Sequence, residues 1–329
     1  MRAWRLQDTA NGQQLLLQDV PRPEPGPGQL LVRVRGAGLN RGEFLGGHGA
    51  LPAGGTAARP VGGEAAGEVI ALGAGVDGWK IGDRVMGRCA GAFAECARME
   101  AYEAMALPEA LDWTHAAAVP LVFMVVYDML VMQGRLRAGE TLLVAGVTSG
   151  VGVAALQAAK AIGAKVIGTS GSAAKLERLR AEGLDLGLHT RGADFGDAVR
   201  EATDGRGADL AIDAVGGSVF AECLRALAYE GRLAMVGYVD GVLDAQIDLA
   251  TLHAKRLAVF GVSNKLRTPA QRAEQVAGFR VDWLPLFAAG RVQPLVDRVL
   301  PFEALAQAKV SMEAGEHVGK IVLAGSIDA

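Results

Sequence analysis

The chain has 329 residues, more than the roughly 100–200 that one compact domain usually takes, so two domains are expected. Half of the residues are hydrophobic, 21% are charged and the mean hydropathy is +0.23, which excludes a globally disordered chain. Thirty-three Lys and Arg against 36 Asp and Glu leave a net charge of −3. This balance argues against a duplex-binding protein, which needs a basic face, so no nucleic-acid partner is expected.

The cysteines and the apolar runs bear on the compartment. Cys89, Cys96 and Cys223 supply neither a disulfide framework nor a CxxC pair, which fits a reducing compartment. The polar amino terminus lacks the apolar stretch of a signal peptide. The run from Ala116 to Tyr127 is shorter than the roughly 20 residues of a membrane span. We therefore expect a cytoplasmic protein with no membrane partner.

Strand patterns dominate residues 1 to about 122. Leu30–Leu39 alternates apolar and charged positions with a period of two, which is typical of a half-buried strand. Pro- and Gly-rich turns at Pro21–Gly28 and Leu51–Pro60 separate it from further short strands. The pattern predicts a mainly antiparallel, barrel-like domain.

Apolar strands alternate with helices from about residue 123 to residue 262. Continuous apolar strands separated by helices imply a parallel sheet covered on both faces. After Val262 the pattern predicts one helix over Pro269–Ala289 and strands at Val296–Leu300 and Gly319–Leu323. Because residues 263–329 are too few for a domain of their own, we expect them to join residues 1–122, leaving 123–262 as the second domain.

The sharpest signal is a glycine turn between a buried strand and a helix. Small residues at Gly150 and Gly152 let the backbone turn sharply and approach a pyrophosphate, and the helix N-terminus presents its N–H groups to the phosphates. A bare G-x-G-x-x-A spacing arises by chance in a Gly-rich chain, but here strand, turn, helix and second strand are all in place. The turn predicts dinucleotide binding; an ordinary βα turn is the alternative.

The end of the second strand bears on the choice of cofactor. An NAD site carries Asp or Glu there to bind the ribose hydroxyls, and this chain has neither. Ser170 and Ser172 offer hydroxyls instead, while Lys175 and Arg178 offer cations that suit a 2′-phosphate. The sequence therefore favours NADPH over NADH, unless Lys175 and Arg178 are merely solvated positions of a surface helix.

Seven segments between residues 20 and 323 are distinctive: GAGLNRGEFL, PVGGEAAGEVIALGAGVDGWKIGDRVMG, GAFAEC, AAAVPLVFMVVYDML, TSGVG, VGG and GKIVL. In them the chain resembles the medium-chain dehydrogenase/reductase superfamily, in its zinc-free quinone oxidoreductase branch. The resemblance implies an α/β fold, with a Rossmann doubly wound parallel sheet and a mainly antiparallel, barrel-like (GroES-like) catalytic domain. Because the apolar strand Leu257–Val262 would leave an open sheet edge, and family members pair through it, a homodimer is also expected.

The same resemblance shows which metal ligands are missing. Zinc-dependent relatives carry a Cys where this chain has Asn40 and a His where it has Gly63. Both ligands of a tetrahedral zinc site are thus replaced by poor ones, and no metal is expected. Without a Lewis acid a simple ketone is hard to polarise, whereas hydride addition to a conjugated acceptor leaves a delocalised enolate or a quinol. The resemblance accordingly implies NADPH-dependent reduction of a small-molecule quinone or α,β-unsaturated carbonyl compound.

Three residues are candidates for the chemistry. The resemblance sets Asn40 beside the nicotinamide, where its amide could donate to a substrate carbonyl; a loop Asn bonded to its own backbone is the alternative. His48 lies where many relatives have a Tyr that donates a proton, so it is a candidate acid, although a lone loop His is more often solvated. Tyr238 follows a strand at the carboxyl end of the sheet, where ligands gather.

The resemblance also assigns residues to the cofactor. Arg191 follows the third strand, where relatives place an Arg against the adenine, and Lys320 matches the closing GK pair, with a surface lysine as the alternative. Asp213 is expected to orient the backbone near Val215. The residues expected to bind NADPH are Thr148, Ser149, Gly150, Val151, Gly152, Ser170, Gly171, Ser172, Lys175, Arg191, Val215, Gly237, Tyr238, Val262, Ser263 and Lys320.

Two other functions stay open. The segment VPLVFMVVYDML is similar to the enoyl reductase domains of polyketide synthases, so an enoyl-thioester reductase of the same fold is one alternative. A non-catalytic NADPH-binding sensor or structural protein, as among the lens crystallin relatives, is the other.

Overall fold

The computed structural model describes residues 1–9, 12–44 and 58–325. The chain divides into two compact units, Met1–Met124 with Arg267–Ala329, and Val125–Leu266. Among these described segments, no helix combines the length and the apolar character that crossing a membrane requires. His48 and the other residues of the segment 45–57 lie outside the described residues.

The first unit begins with strands and two short helices. Along β3 the predicted period of two holds only from Val32 to Arg35, where Val32 and Val34 are buried and the arginines are half-buried; Leu31 and residues 36–38 are buried as well. A single 3₁₀ turn, Arg41–Glu43, follows β3. The elements are β1 (Arg2–Thr9), β2 (Gly12–Asp19), β3 (Gln29–Gly38), β4 (Arg59–Pro60), β5 (Glu64–Leu72), β6 (Arg84–Arg88), β7 (Cys96–Glu100), β8 (Ala104–Ala106), α1 (Trp113–Ala117) and α2 (Val122–Tyr127).

The second unit is a parallel sheet with helical crossovers. A π-helical turn, Asp128–Gln133, precedes it. Its elements are β9 (Thr141–Ala145), α3 (Gly150–Ile162), β10 (Lys165–Ser170), α4 (Ala173–Arg180), β11 (Leu186–His189), α5 (Gly196–Glu201), β12 (Ala208–Asp213), α6 (Gly217–Arg225), β13 (Leu227–Met235), α7 (Leu249–Ala254) and β14 (Ala258–Gly261).

The order of the six strands in this sheet is β11-β10-β9-β12-β13-β14, and every neighbouring pair is parallel. This is the doubly wound dinucleotide-binding order, which reverses direction at β9. Ligands of such sheets gather outside the carboxyl ends of the strands, next to that reversal. The buried side chains of Leu143, Ile167, Ala211 and Leu233, one from each of four strands, contribute to one apolar cluster of the sheet.

The chain then returns to the first unit. Its last elements are α8 (Pro269–Asp282), α9 (Leu284–Ala288), β15 (Val296–Leu300), a 3₁₀ turn (Phe302–Ala304), α10 (Leu305–Glu313) and β16 (Lys320–Ala324). The sequence predicts one helix over Pro269–Ala289, and this is wrong: the helix ends at Asp282. Pro285 lacks the N–H of a continuing helix and its ring would clash with the carbonyl four residues earlier, so a second helix begins after Trp283.

The larger sheet of the first unit has the order β15-β16-β3-β5-β6-β8, with β7 also paired to β3. Only β15 and β16 run parallel; the other pairs are antiparallel. A three-stranded sheet, β2-β1-β4, accompanies it. The α/β prediction, a Rossmann-like parallel sheet with a mostly antiparallel second part, is therefore confirmed.

Candidate cofactor and substrate residues

The turn after β9 is built so that only glycine fits at Gly152. A Cβ there would lie 2.5 Å from Gly146 O and 2.7 Å from Val147 Cα, and both of these are backbone atoms. Ser149 is the N-cap of α3, because its Oγ accepts the N–H of Gly152 at 3.0 Å. Close packing of turn against helix is what brings a helix N-terminus next to a pyrophosphate.

The first N–H groups of α3 are available to a ligand. Gly150 and Val151 are half-buried, and within the part of the chain that the structure describes no group accepts a hydrogen bond from their backbone N–H. The helix has 13 residues, so its aligned peptide dipoles place a partial positive charge at this end. Neighbouring Thr148 lies with its Oγ1 3.4 Å from Ser170 Oγ, which ties the turn to the end of β10.

Hydroxyls and cations surround the end of β10. Ser170 Oγ accepts the N–H of Ser172 at 3.3 Å, and Ser172 Oγ accepts the N–H of Lys175 at 3.4 Å as the N-cap of α4. Arg191 folds back onto Gly171, since a Cβ on Gly171 would lie 2.7 Å from Arg191 Cζ. No carboxylate belongs to this group, so its donors suit an anionic phosphate better than a pair of ribose hydroxyls.

Asp213 organises the turn after β12. Its Oδ1 accepts the N–H of Val215 at 2.8 Å and of Gly216 at 2.9 Å, which confirms the expected backbone role. Its Oδ2 is buried and has no hydrogen-bond partner among the residues that the structure covers. Burial therefore raises the pKa of Asp213 to about 6, although the two backbone bonds oppose the rise.

The last two strands end near the same edge. Gly237, just after β13, packs against the backbone of Ala214: a Cβ on Gly237 would lie 3.1 Å from Ala214 O. Tyr238 is 40% exposed. Val262 donates its N–H to Met235 O at 2.9 Å, and Ser263 Oγ accepts the N–H of Lys265 at 3.2 Å. Apart from Lys320, every residue expected to bind the cofactor thus follows a strand of this sheet at its carboxyl end.

Lys320 belongs to the first unit, and its ammonium makes hydrogen bonds only to residues of that unit among those that the structure describes. Its ammonium donates to Leu39 O at 2.7 Å, to Asn40 Oδ1 at 2.8 Å and to Glu64 Oε1 at 2.6 Å. Lys320 is 4% exposed and Glu64 is fully buried. An ammonium has three N–H groups, so this arrangement leaves none for a cofactor. Lys320 is placed to hold Asn40 and Glu64, which the sequence did not indicate.

Asn40 is equally occupied. Its Nδ2 donates to Glu64 Oε1 at 2.9 Å and to Glu43 Oε1 at 3.2 Å, while its Oδ1 accepts from Lys320. Both amide hydrogens are therefore used within the protein. Donation from Asn40 to a substrate carbonyl requires one of these bonds to be exchanged, so that role stays a prediction.

Glu43 is the residue that the sequence interpretation missed. Its Oε1 accepts the N–H of Gly63 at 2.8 Å and its Oε2 accepts the N–H of Asn40 at 3.1 Å. Burial raises the pKa of Glu43 to about 7, and the charge of Lys320 opposes the rise. The signal was present, because Asn-x-x-Glu is the spacing of a capping box, and Asn40 and Glu43 cap their short turn in that way.

The charged side chains of Lys320 and Glu64 have further charged neighbours in the sheet of the first unit. Arg88 on β6 pairs in register with Glu64 on β5, and its guanidinium lies 3.9 Å from Glu103. Burial lowers the pKa of Arg88, while Glu103 and Glu64 oppose the fall. Charges of alternating sign, from Lys320 through Glu64 and Arg88 to Glu103, thus stand close together in this unit.

The donor set at this place does not suit zinc. Gly63 has no side chain, and a Cβ there would lie 3.0 Å from Glu43 Oε1, so the carboxyl of Glu43 takes up the room that a larger residue would need. The ammonium of Lys320 adds a cation beside it. Among residues 1–9, 12–44 and 58–325, no group of three or more His, Cys, Asp and Glu side chains is arranged to hold a metal ion.

Two family models match the chain. Residues 26–109 match the alcohol dehydrogenase GroES-like domain, and residues 150–276 match the zinc-binding dehydrogenase model. The mouse (Mus musculus) synaptic vesicle membrane protein VAT-1 homolog is 30% identical over 317 residues, which are 92% of this chain and 77% of the relative. The chain belongs to the medium-chain dehydrogenase/reductase superfamily.

The chain is also similar to part of a much longer protein and to solved structures. A phenolphthiocerol/phthiocerol polyketide synthase of Mycobacterium tuberculosis is 33% identical over 320 residues, and the match spans 96% of this chain but only 14% of the synthase. A mycobacterial protein solved in complex with NADPH superposes with a TM-score of 0.87 at 27% identity, covering 98% of this chain and 99% of the other. A quinone oxidoreductase of Pseudomonas syringae pv. tomato has a TM-score of 0.84 at 26% identity, with 98% and 100% covered.

Proposed function

We propose that the chain is a zinc-independent, NADPH-dependent reductase that transfers hydride to quinones or α,β-unsaturated carbonyl compounds. The observation that carries the proposal is the pairing of two features. The glycine turn of the second unit fits a dinucleotide, and in the first unit a buried ammonium, from Lys320, bonds to Asn40, the position where the resemblance gives zinc-dependent relatives a Cys ligand. One solved neighbour in complex with NADPH and another that is a quinone oxidoreductase support the same interpretation.

The second unit supplies the cofactor residues of this proposal. The N–H groups of Gly150 and Val151 would bind the pyrophosphate, with the dipole of α3 behind them. Ser170, Lys175 and Arg191 would bind the 2′-phosphate and the adenosine end. NADPH supplies the hydride when it is bound; the protein orients it and excludes water.

The first unit supplies the residues that would meet the acceptor. A hydride added to a conjugated carbonyl or a quinone leaves negative charge on oxygen, and preorganised donors and cations stabilise such a charge. Lys320 and Asn40 are such donors, and each would exchange one of its present hydrogen bonds to Glu64 or Glu43 for the acceptor oxygen. A conjugated acceptor spreads the developing charge, so it makes the smallest demand on these donors.

An enoyl-thioester reductase is the second candidate, and one observation favours it. The polyketide synthase relative is 33% identical to this chain across 96% of its length. Reduction of an enoyl thioester uses the same hydride addition to a conjugated carbonyl. The two candidate functions therefore share the same hydride transfer and differ in the substrate, which in the second is an acyl group carried as a thioester.

We also propose a homodimer formed through β14. This strand lies at the end of its sheet, and Val259 on it is 40% exposed. An apolar edge strand favours pairing with a second copy about a two-fold axis. Sedimentation equilibrium at micromolar protein tests the pairing, and a monomer mass throughout would contradict it.

The test of function is an NADPH-oxidation assay with three acceptors: a benzoquinone, a simple enone and an enoyl-CoA. The proposal expects turnover of the quinone or the enone with a kcat/KM above that for the thioester. Preferred turnover of the thioester would support the second candidate instead. NADPH binding without turnover of any acceptor would contradict both and favour a non-catalytic role.

A further inference from the structure

Two carboxyl groups of the first unit, the buried Glu64 and the half-buried Glu43, contact the same side-chain amide of Asn40. Glu43 and Glu64 both accept from Asn40 Nδ2, at 3.2 and 2.9 Å. The ammonium of Lys320 lies 2.6 Å from Glu64 Oε1, and its other two N–H groups are bonded to Leu39 O and Asn40 Oδ1. Glu43 therefore receives none of the hydrogen bonds of this cation.

This inequality decides which carboxyl keeps its proton. A carboxyl in a desolvated site that has no direct hydrogen bond from a cation keeps its proton to a higher pH. Glu64 has that cation, accepts the N–H of Leu121 at 2.7 Å as well, and stands in register with Arg88. The contacts of Glu43 are neutral N–H groups, from Gly63 and Asn40.

The other elements packed around Glu43 bring few charges. Lys320 of β16 and Glu64 of β5 face it. Burial raises the pKa of the Cys89 thiol, just past β6, and the nearby carboxyls of Glu64 and Glu43 raise it further. Arg41, on the same 3₁₀ turn, donates to Met312 O at 3.0 Å. Burial thus leaves Glu43 with a pKa of about 7, so its ionisation falls near neutral pH.

We propose that the Glu43 carboxyl holds the proton that the reduced product takes up, with Glu64 and Lys320 as positioning residues. The inference rests on the proposed function. Hydride from the reduced nicotinamide places a negative charge on the acceptor oxygen. The O–H bond of Glu43 then breaks, its proton forms an O–H bond to that oxygen, and solvent water returns a proton to the Glu43 carboxylate.

The first test is the pH profile of kcat/KM for wild type, Glu43→Gln and Glu43→Asp with the best acceptor. Wild type should lose activity as pH rises through about 7, because the carboxyl loses its proton. Glu43→Gln should be slower by about a hundredfold or more and should lack that alkaline limb. Glu43→Asp should keep the limb, because it keeps a carboxyl. Glu109→Gln, at an exposed turn position, is the matched control and should follow wild type.

The second test needs no turnover. A carboxyl whose pKa is higher in the folded than in the unfolded protein favours folding at low pH and loses that contribution as pH rises through the folded value. The Tm of the cofactor-free wild type, relative to that of Glu43→Gln, should therefore fall between pH about 4.5 and about 7. Glu109→Gln should show no such difference from wild type.

The outcomes separate the two proposals. Active wild type with a Glu43→Gln variant of unchanged rate and profile would overturn the proton assignment and leave the proposed function intact. A Tm difference that is flat with pH would overturn the assignment in the same way. If Glu43→Gln does not fold, loss of the alkaline limb in Glu43→Asp would overturn it. A wild type that reduces no acceptor would overturn the function and this inference with it.

Discussion

Glu64 Oε1 lies directly over Gly38, so close that a Cβ on Gly38 would stand 2.5 Å from that oxygen. The same Cβ would stand 2.6 Å from Ala117 O, a backbone atom that cannot turn aside. The register explains the closeness, because the preceding pair, Ala37 and Ala65, sits directly opposite on β3 and β5. Gly38 therefore makes the space in which the buried carboxylate reaches Lys320.

Gly38→Ala should destabilise the fold for this reason. Overpacking of a well-packed site costs about 1–3 kcal/mol, and here the added methyl group also displaces a buried charge. Urea unfolding measures the loss. Gly42→Ala is the control, since a Cβ at Gly42 meets nothing within 4 Å. Equal stability of the two variants would contradict the packing argument.

Lys320→Met should be more costly than any surface lysine substitution. It leaves the carboxylate of Glu64 buried without its cation, and removing one partner of a buried ion pair costs about 3–5 kcal/mol. Adding Glu64→Gln should recover part of the loss, because the uncompensated charge is gone. Lys160→Met is the comparison, since the pair of Lys160 with Asp185 is partly exposed and worth about 1 kcal/mol or less. Additive losses in the double variant would show that Lys320 and Glu64 do not interact.

The strands and helices of the second unit could be predicted from the sequence because each is indicated by a short, continuous segment. The run KVIGTS predicts the strand that β10 forms, and the helix after the glycine turn is capped at its C-terminus by Gly163, which has a positive φ of 95°. The parallel sheet follows from such segments, since apolar strands joined by helices have few other ways to pack.

The network of the first unit was not readable, because its members are far apart in sequence. Lys320 meets Asn40 across 280 residues, and the glycine at position 63 gave no hint that a carboxyl from Glu43 would lie against it. The identity of a single residue indicates what its side chain can do, but it does not indicate which distant residues that side chain contacts. The register of β16, β3 and β5 decides those partners, and register depends on the whole sheet.

Lys175→Ala should weaken NADPH binding and leave NADH binding unchanged. A charged hydrogen bond to phosphate is worth about 1.5–3 kcal/mol, which corresponds to roughly a ten- to hundredfold rise of the NADPH Kd. Titration of cofactor fluorescence measures both constants. Lys165→Ala, at the other end of β10, is the control and should change neither. An equal effect on the two cofactors would mean that Lys175 does not read the 2′-phosphate.

Asp213→Asn should change how stability depends on pH. The buried Asp213 carboxyl has a pKa of about 6, above its ordinary 3.8, so its ionisation opposes folding. In wild type the stability that this group contributes is complete below pH 3.8 and is lost as pH rises through about 6. Asparagine does not ionise, and its Oδ1 still accepts from Val215 and Gly216.

The unfolding free energy of Asp213→Asn minus that of wild type should therefore increase between pH about 4 and about 7. A shift of this size corresponds to about 3 kcal/mol at most. Urea unfolding at several pH values measures the difference, and Asp204→Asn, an exposed turn position, is the control. If the difference stays constant with pH, Asp213 carries its charge at low cost and its buried Oδ2 has a partner in solution.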